Sequence, residues 1–133
     1  MGLENTSFRN PHGLPDEQHY TTARELAVIT CYALRNEVLA QIVATQKAKI
    51  VSADGKVRYF RNHNKLLSIY EGANGVKTGY TKASGRCLVS SATKNGVTLV
   101  AVTLNSHDDW REHMTMLNHG FSIYPTSNQK KNN

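Results

Sequence analysis

The run Val97-Thr98-Leu99-Val100-Ala101-Val102-Thr103-Leu104 constrains this chain most. Its β-branched and aliphatic residues follow directly on Asn95-Gly96, a dipeptide that suits a tight hairpin turn. The run is nearly continuous in apolarity rather than strictly alternating. That pattern predicts a central strand with both faces largely covered. The segment before the turn, Gly85 to Thr93, is its expected hairpin partner, so the chain must build a sheet and find layers to cover it.

A second hairpin precedes this one. Lys47 to Ala53 and Val57 to Asn62 flank Asp54-Gly55, again a turn signal. Helices are expected on either side of the strands. Thr22-Ala23-Arg24-Glu25 fits a capping box, in which the hydroxyl and the carboxylate each satisfy a free backbone amide. The helix it opens runs to about Arg35, with Leu26, Ile29 and Ala33 along one stripe. Asn36 can end that helix or cap the next, which covers Glu37 to Thr45 with Val38, Leu39, Ile42 and Val43. Asp108-Asp109 begins a last helix, acidic at the positive end of its dipole. Trp110, Met114, Leu117, Phe121 and Tyr124 recur at helical spacing, the pattern of a core-facing stripe. Pro125 ends it. The expectation is an α+β fold, an antiparallel sheet with packed helices, over residues 1–124, followed by a polar tail over 125–133.

The first twenty residues are extended and turn-rich. Asn10-Pro11-His12-Gly13-Leu14-Pro15-Asp16 excludes regular helix or strand, and a rigid loop of this kind is either connective or borders a site.

Composition narrows the function. Of 133 residues, 39% are hydrophobic and 20% charged, as in an ordinary globular domain rather than a disordered or fibrous chain. No apolar run is long enough to span a bilayer. Met1-Gly2-Leu3-Glu4-Asn5 lacks the basic-then-apolar pattern of a leader, so no signal or anchor is expected in this chain. The net charge of +6 is dispersed along the sequence, the pattern of a solvated basic surface rather than a nucleic-acid partner. Such a field also suits an anionic wall polymer or an acidic peptide. Cys31 and Cys87 match no metal or redox spacing, and each lies in an apolar run, so two buried free thiols are expected. A disulfide between them stays open at this level. The six histidines show no metal-binding spacing, and neither metal nor cofactor is expected.

The stretch Gly75-Val76-Lys77-Thr78-Gly79-Tyr80-Thr81 carries the chemistry. Lys-Thr-Gly is one of three motifs shared by penicillin-binding proteins and class A β-lactamases. Its setting is equally distinctive. Upstream lie Asn5-Thr6-Ser7-Phe8-Arg9-Asn10-Pro11-His12-Gly13-Leu14, Tyr20-Thr21-Thr22-Ala23-Arg24-Glu25-Leu26-Ala27 and Asn62-His63-Asn64-Lys65-Leu66-Leu67. Downstream lies Gly85-Arg86-Cys87-Leu88-Val89-Ser90-Ser91-Ala92-Thr93. In these pieces, and in their order, the chain resembles the carboxyl-terminal half of the transpeptidase-like domain of serine D-alanyl-D-alanine carboxypeptidases, the low-molecular-mass penicillin-binding proteins.

The resemblance implies part of a β-lactamase/transpeptidase-like fold. It also implies acyl-enzyme hydrolysis of the terminal D-alanine of peptidoglycan stem peptides. By that resemblance Lys77 is catalytic and substrate-binding, with its ammonium beside the nucleophile and the substrate carboxylate. Thr78 donates its hydroxyl to that carboxylate, and Gly79 lets the substrate backbone come close. The backbone amide of Tyr80 is one oxyanion donor. Strict alternation sends Lys77 and Thr78 to opposite faces, so a joint role requires Thr78 to act at the sheet edge. His63 stands where the family often has an arginine, and Arg111 lies in a helix where some members have a substrate-facing arginine; both stay outside the catalytic set.

The family's other two motifs, Ser-x-x-Lys with the nucleophile and Ser-x-Asn, have no counterpart here. Ser91-Ala92-Thr93-Lys94 belongs to a strand and its turn, where positions three apart face opposite ways. Ser127-Asn128-Gln129-Lys130 lies in the tail. No Ser-x-Asn occurs. The chain is therefore expected to be inactive alone. The partner implied in a full-length protein is a peptidoglycan peptide or a β-lactam, in an extracytoplasmic, wall- or membrane-associated setting. The alternatives are a non-catalytic fragment or binding module, for which self-association through surface that the absent half would cover is expected. A class A β-lactamase fits less well, because its deacylating glutamate region is not recognisable.

Overall fold

The computed structural model describes residues 1–124; the expected polar tail, with the Ser127 to Lys130 pattern, lies outside the described residues. Elements follow in the order α1 (Ala23–Ala33), α2 (Glu37–Ala44), β1 (Lys47–Val51), β2 (Val57–Arg61), α3 (Leu66–Ile69), β3 (Ala73–Thr81), β4 (Gly85–Lys94), β5 (Val97–Ser106) and α4 (Asp109–Ile123).

The cap of α1 is half the expected box. Thr22 Oγ1 accepts the amide of Glu25 at 3.2 Å. Glu25 does not return the bond to Thr22. Its carboxylate instead accepts the amides of Glu4 and Asn5, both at 3.0 Å, and the hydroxyl of Thr6. These bonds anchor the N-terminal segment to α1, and they hold the Glu25 carboxyl below the usual carboxylate range, the Thr6 hydroxyl contributing most. A Ser7–Tyr20 bridge closes the loop between them. Asn36 serves both roles open to it. Its amide donates to Ala33 at the end of α1, and its side-chain oxygen accepts the amide of Leu39 at the start of α2.

The main sheet has the order β3-β4-β5, all antiparallel. This corrects the expectation for Val97 to Leu104. The central strand is β4, where Leu88, Val89, Ser90, Ser91 and Ala92 are all buried. Among the described residues β5 pairs only with β4, and Ala101 alone of its residues is buried. Its apolar residues on both faces serve two covering layers. Toward one face come α4 contacts, with Thr103 Oγ1 bonded to His113. Toward the other lies α1, with Cys31 and Leu34 near Thr98 and Val100. The hairpin β1-β2 stays apart as its own two-stranded sheet, exposed throughout except at Ala48.

The core forms on the α4 face. Leu66, Tyr70, Leu88, Ala92, Ala101 and Leu117 are buried together, with Leu99, Trp110, Met114 and Phe121 packed against them. Each such Leu contributes about 1.5–3 kcal/mol by leaving water. The expected stripe on α4 holds up to Phe121, whereas Tyr124 is exposed. Gly120 lets α4 approach β5 closely, since a Cβ there would come within 2.7 Å of Leu99 Cδ1. The stripe of α1 is only half-buried, its buried residues being Glu25 and Thr30. No residue of α2 is buried, and Val38 and Ile42 are exposed.

Candidate active site

Strand β3 is an edge strand, so one side of its backbone has no neighbour among the described residues. Against it opens a cleft of about 710 Å³. Lys77, Thr78, Gly79, Tyr80 and Thr81 form one wall. His12, Gly13 and Leu14 of the N-terminal loop, and His63 from the segment before α3, also line it. The loop is thus a border of the cleft, which is the second of its two expected roles.

Although alternation sends Lys77 and Thr78 to opposite faces of β3, both line the cleft. Lys77 is exposed and pairs in register with Val89; its ammonium donates to the carbonyl oxygen of Thr78. Gly79 stands opposite Cys87, and a Cβ on Gly79 would lie 3.8 Å from that of Cys87. Tyr80 pairs with Arg86, and its side chain is largely exposed. The amides of Thr78 and Tyr80 point the same way along a strand of period two.

Four cleft residues were not singled out as site residues from sequence: Arg86, Cys87, Asp109 and Trp110. They come from the start of β4 and the start of α4, which the fold brings to one end of the sheet. Arg86 Nη1 lies 3.8 Å from the buried carboxylate of Asp109, and Asp109 Oδ1 accepts the amide of Trp110. The only sequence signal was the acidic pair at the head of the last helix. Arg111 does not line the cleft; it is exposed and bonded to Asp108 at 2.7 Å.

The Ser91 pattern is excluded by placement. Ser91 is fully buried and donates to Asn74 Oδ1, whereas Lys94 reaches over the ring of Tyr70, 4.5 Å from its centroid. Both cysteines are free thiols, but neither is buried. Cys31 is exposed, because the gap between α1 and β5 that it lines is open, and Cys87 is half-buried on the cleft wall. Among the described residues no cluster of His, Cys, Asp and Glu is placed to hold a metal ion.

The family model for D-alanyl-D-alanine carboxypeptidase matches residues 1–108. The chain belongs to the D-alanyl-D-alanine carboxypeptidase family. Within that family it is 34% identical to D-alanyl-D-alanine carboxypeptidase DacF of Bacillus subtilis over 136 residues, which cover 100% of this chain and 35% of DacF. A solved mutant of the Streptomyces K15 DD-transpeptidase superposes with a TM-score of 0.85 at 33% identity, covering 92% of this chain and 50% of that one. The D-alanyl-D-alanine carboxypeptidase of Mycobacterium tuberculosis H37Rv gives 0.83 at 32% identity, covering 93% and 50%. The α+β architecture is therefore that of the carboxypeptidase family, and the chain spans half or less of the length of these relatives. No single helix among its described residues is long and apolar enough to cross a membrane.

Proposed function

We propose that this chain is the substrate-holding part of a serine D-Ala-D-Ala carboxypeptidase. The observation that supports this most directly is the grouping of Lys77, Thr78, Gly79 and Tyr80 of the edge strand β3 on one cleft. An extended peptide adds to such an edge as a further strand, its main chain paired and its carboxylate drawn toward the Lys77 ammonium. Thr78 supplies a hydroxyl to the same carboxylate, and Gly79 leaves room for the backbone. The Tyr80 amide stabilises the oxyanion once an acyl transfer begins.

The nucleophile and its lysine base come from outside these 133 residues. On this reading the chain alone binds and does not turn over, while the complete protein acts on peptidoglycan stem peptides and is acylated by β-lactams outside the cytoplasm. The exposed Val38, Ile42, Tyr59 and Phe60 and the edge of β5 that has no strand partner among the described residues are the surface through which the isolated chain self-associates.

Trp110 is the sole tryptophan and lines the cleft, so its fluorescence reports occupancy. Titration with an acyl-D-alanyl-D-alanine peptide is expected to give a saturable change. The same peptide amidated at its C-terminus should give none. Equal responses to the two peptides would overturn the assignment of the carboxylate to Lys77 and Thr78.

A further inference from the structure

The cleft beside β3 holds a cation that the proposed reaction leaves unused. Arg86, the second residue of β4, lines it together with Lys77, Thr78 and Tyr80. Its register partner is Tyr80, so the two side chains leave the same face of the sheet. A β-bulge marks this end of β4. Leu88 pairs with Thr103 but Arg86 pairs with Ser106, so β5 carries one extra residue between them. Asn105, in that interval, has φ +53°, a conformation that Asn tolerates better than most side chains. Bulges recur beside active sites, where they re-aim a side chain.

Arg86 is held by charge without being used up. Its Nη1 lies 3.8 Å from Oδ1 of Asp109, which is 6% exposed. That distance is an ion pair but not a hydrogen bond. The same Oδ1 already accepts the amide of Trp110 at 3.0 Å. The guanidinium therefore keeps its planar set of N–H donors free among the described residues, on a side chain that is 56% exposed. Asp109 is the only acidic residue among those that line the cleft.

The direction of the peptide gives that fork an occupant. With its terminal carboxylate at Thr78 and its scissile carbonyl at the Tyr80 amide, the peptide runs on toward Thr81. The residue before the D-alanyl-D-alanine pair then lies at the Tyr80 end of the cleft, where Arg86 stands across from Tyr80. We propose that Arg86 binds a second carboxylate, carried on the side chain of that preceding residue. The fork takes a carboxylate in two parallel bonds, and Asp109 positions the guanidinium for it. The cleft thereby selects peptides that are acidic at this position over those that are neutral there. This rests on the proposed function, which sets the direction of the peptide.

The test is titration of the 133-residue chain, read by Trp110 fluorescence, with acyl-Glu-D-alanyl-D-alanine and acyl-Gln-D-alanyl-D-alanine at one ionic strength. The Glu peptide is expected to bind about tenfold more tightly, the gain of one charge-assisted contact. In Arg86→Gln that preference should disappear while the Gln peptide binds as before. Arg86→Lys, which keeps a charge beside Asp109, should retain part of it. Lys49→Gln removes a positive charge on β1, outside the cleft, and should leave the preference intact. Equal affinity for the two peptides, an undiminished preference in Arg86→Gln, or an equal loss in Lys49→Gln would overturn the proposal. The Gln peptide amidated at its C-terminus separates this failure from that of the proposed function. If it binds as well as the free acid, the direction of the peptide falls and the role of Arg86 falls with it. If it does not bind while the free Glu and Gln peptides bind alike, only the role of Arg86 falls.

Discussion

The hydroxyl of Ser90 lies 2.6 Å from Nδ1 of His113, inside the core between β4 and α4. The other ring nitrogen, Nε2, lies 2.9 Å from Thr103 Oγ1 on β5. A neutral imidazole donates from one nitrogen and accepts at the other, so it satisfies both hydroxyls at once. The helix thereby ties the two strands together through a polar contact within an apolar layer.

Acid should loosen that tie. Burial lowers the pKa of His113 from 6.5 to about 4, against the opposing pull of Asp109 and Glu112. The unfolded chain therefore takes up the proton first as pH falls. Stability is fully present above about pH 6.5 and declines toward pH 4, by on the order of 2 kcal/mol. Thermal melts across this window should show the fall. His113→Gln should start from a lower midpoint and show a flatter slope; an unchanged slope would remove His113 as its source.

Glu25 acts in a lower window. Its folded pKa is lowered, so the stability it contributes is present above its unfolded value near 4.5 and is lost as pH falls through the lower folded value. Glu25→Gln is expected to release the amides of Glu4 and Asn5. Hydrogen exchange at those amides should accelerate at neutral pH while the amides of β4 keep their protection. Equal protection at Glu4 and Asn5 in the variant would show that the carboxylate does not hold the segment.

Gly72 has φ +82°, and a Cβ there would stand 2.4 Å from the carbonyl oxygen of Thr93. The backbone at both positions is committed, since the Thr93 amide also donates to the Gly72 carbonyl at 2.9 Å. Gly72→Ala should cost about 1–3 kcal/mol through left-handed strain and steric contact. Chemical denaturation would measure it, and a change under about 0.5 kcal/mol would mean that the turn relaxes freely.

The two thiols should separate by position. Cys31 is exposed on α1, away from the Lys77 cleft, and Cys87 lies on the cleft wall opposite Gly79. A saturating D-alanyl-D-alanine peptide should slow modification of Cys87 by a thiol reagent and leave Cys31 unchanged. Parallel slowing at both sites would place the peptide elsewhere.

Labelled penicillin followed by intact-mass measurement should detect no stoichiometric covalent adduct on the 133-residue chain. The Lys77 wall lacks a serine within reach of a base, and removal of nucleophile and base together abolishes acyl-enzyme formation. A stoichiometric adduct would mean that a residue of this chain acts as nucleophile.

The sequence by itself determined the elements and the motif. Asn95-Gly96 and Asp54-Gly55 marked both hairpins, Thr22 and Asn36 marked helix starts, and the α4 stripe marked the core, because these signals are local and depend on turn sterics, capping bonds and periodicity. The order of Lys77-Thr78-Gly79 among its neighbouring segments was enough to identify the family. Only the tertiary structure decided which strand is central. Val97 to Leu104 reads as a covered central strand and Gly85 to Thr93 as its hairpin partner, but edge or centre depends on which partners pair with each. It also decided that Glu25 serves the N-terminal segment rather than its own helix, that Cys31 is exposed, and that Arg86, rather than Arg111, reaches the cleft. The Glu25 and Arg86 outcomes turn on contacts between residues about twenty positions apart, and the central strand on which two hairpins share β4, neither of which a local pattern encodes.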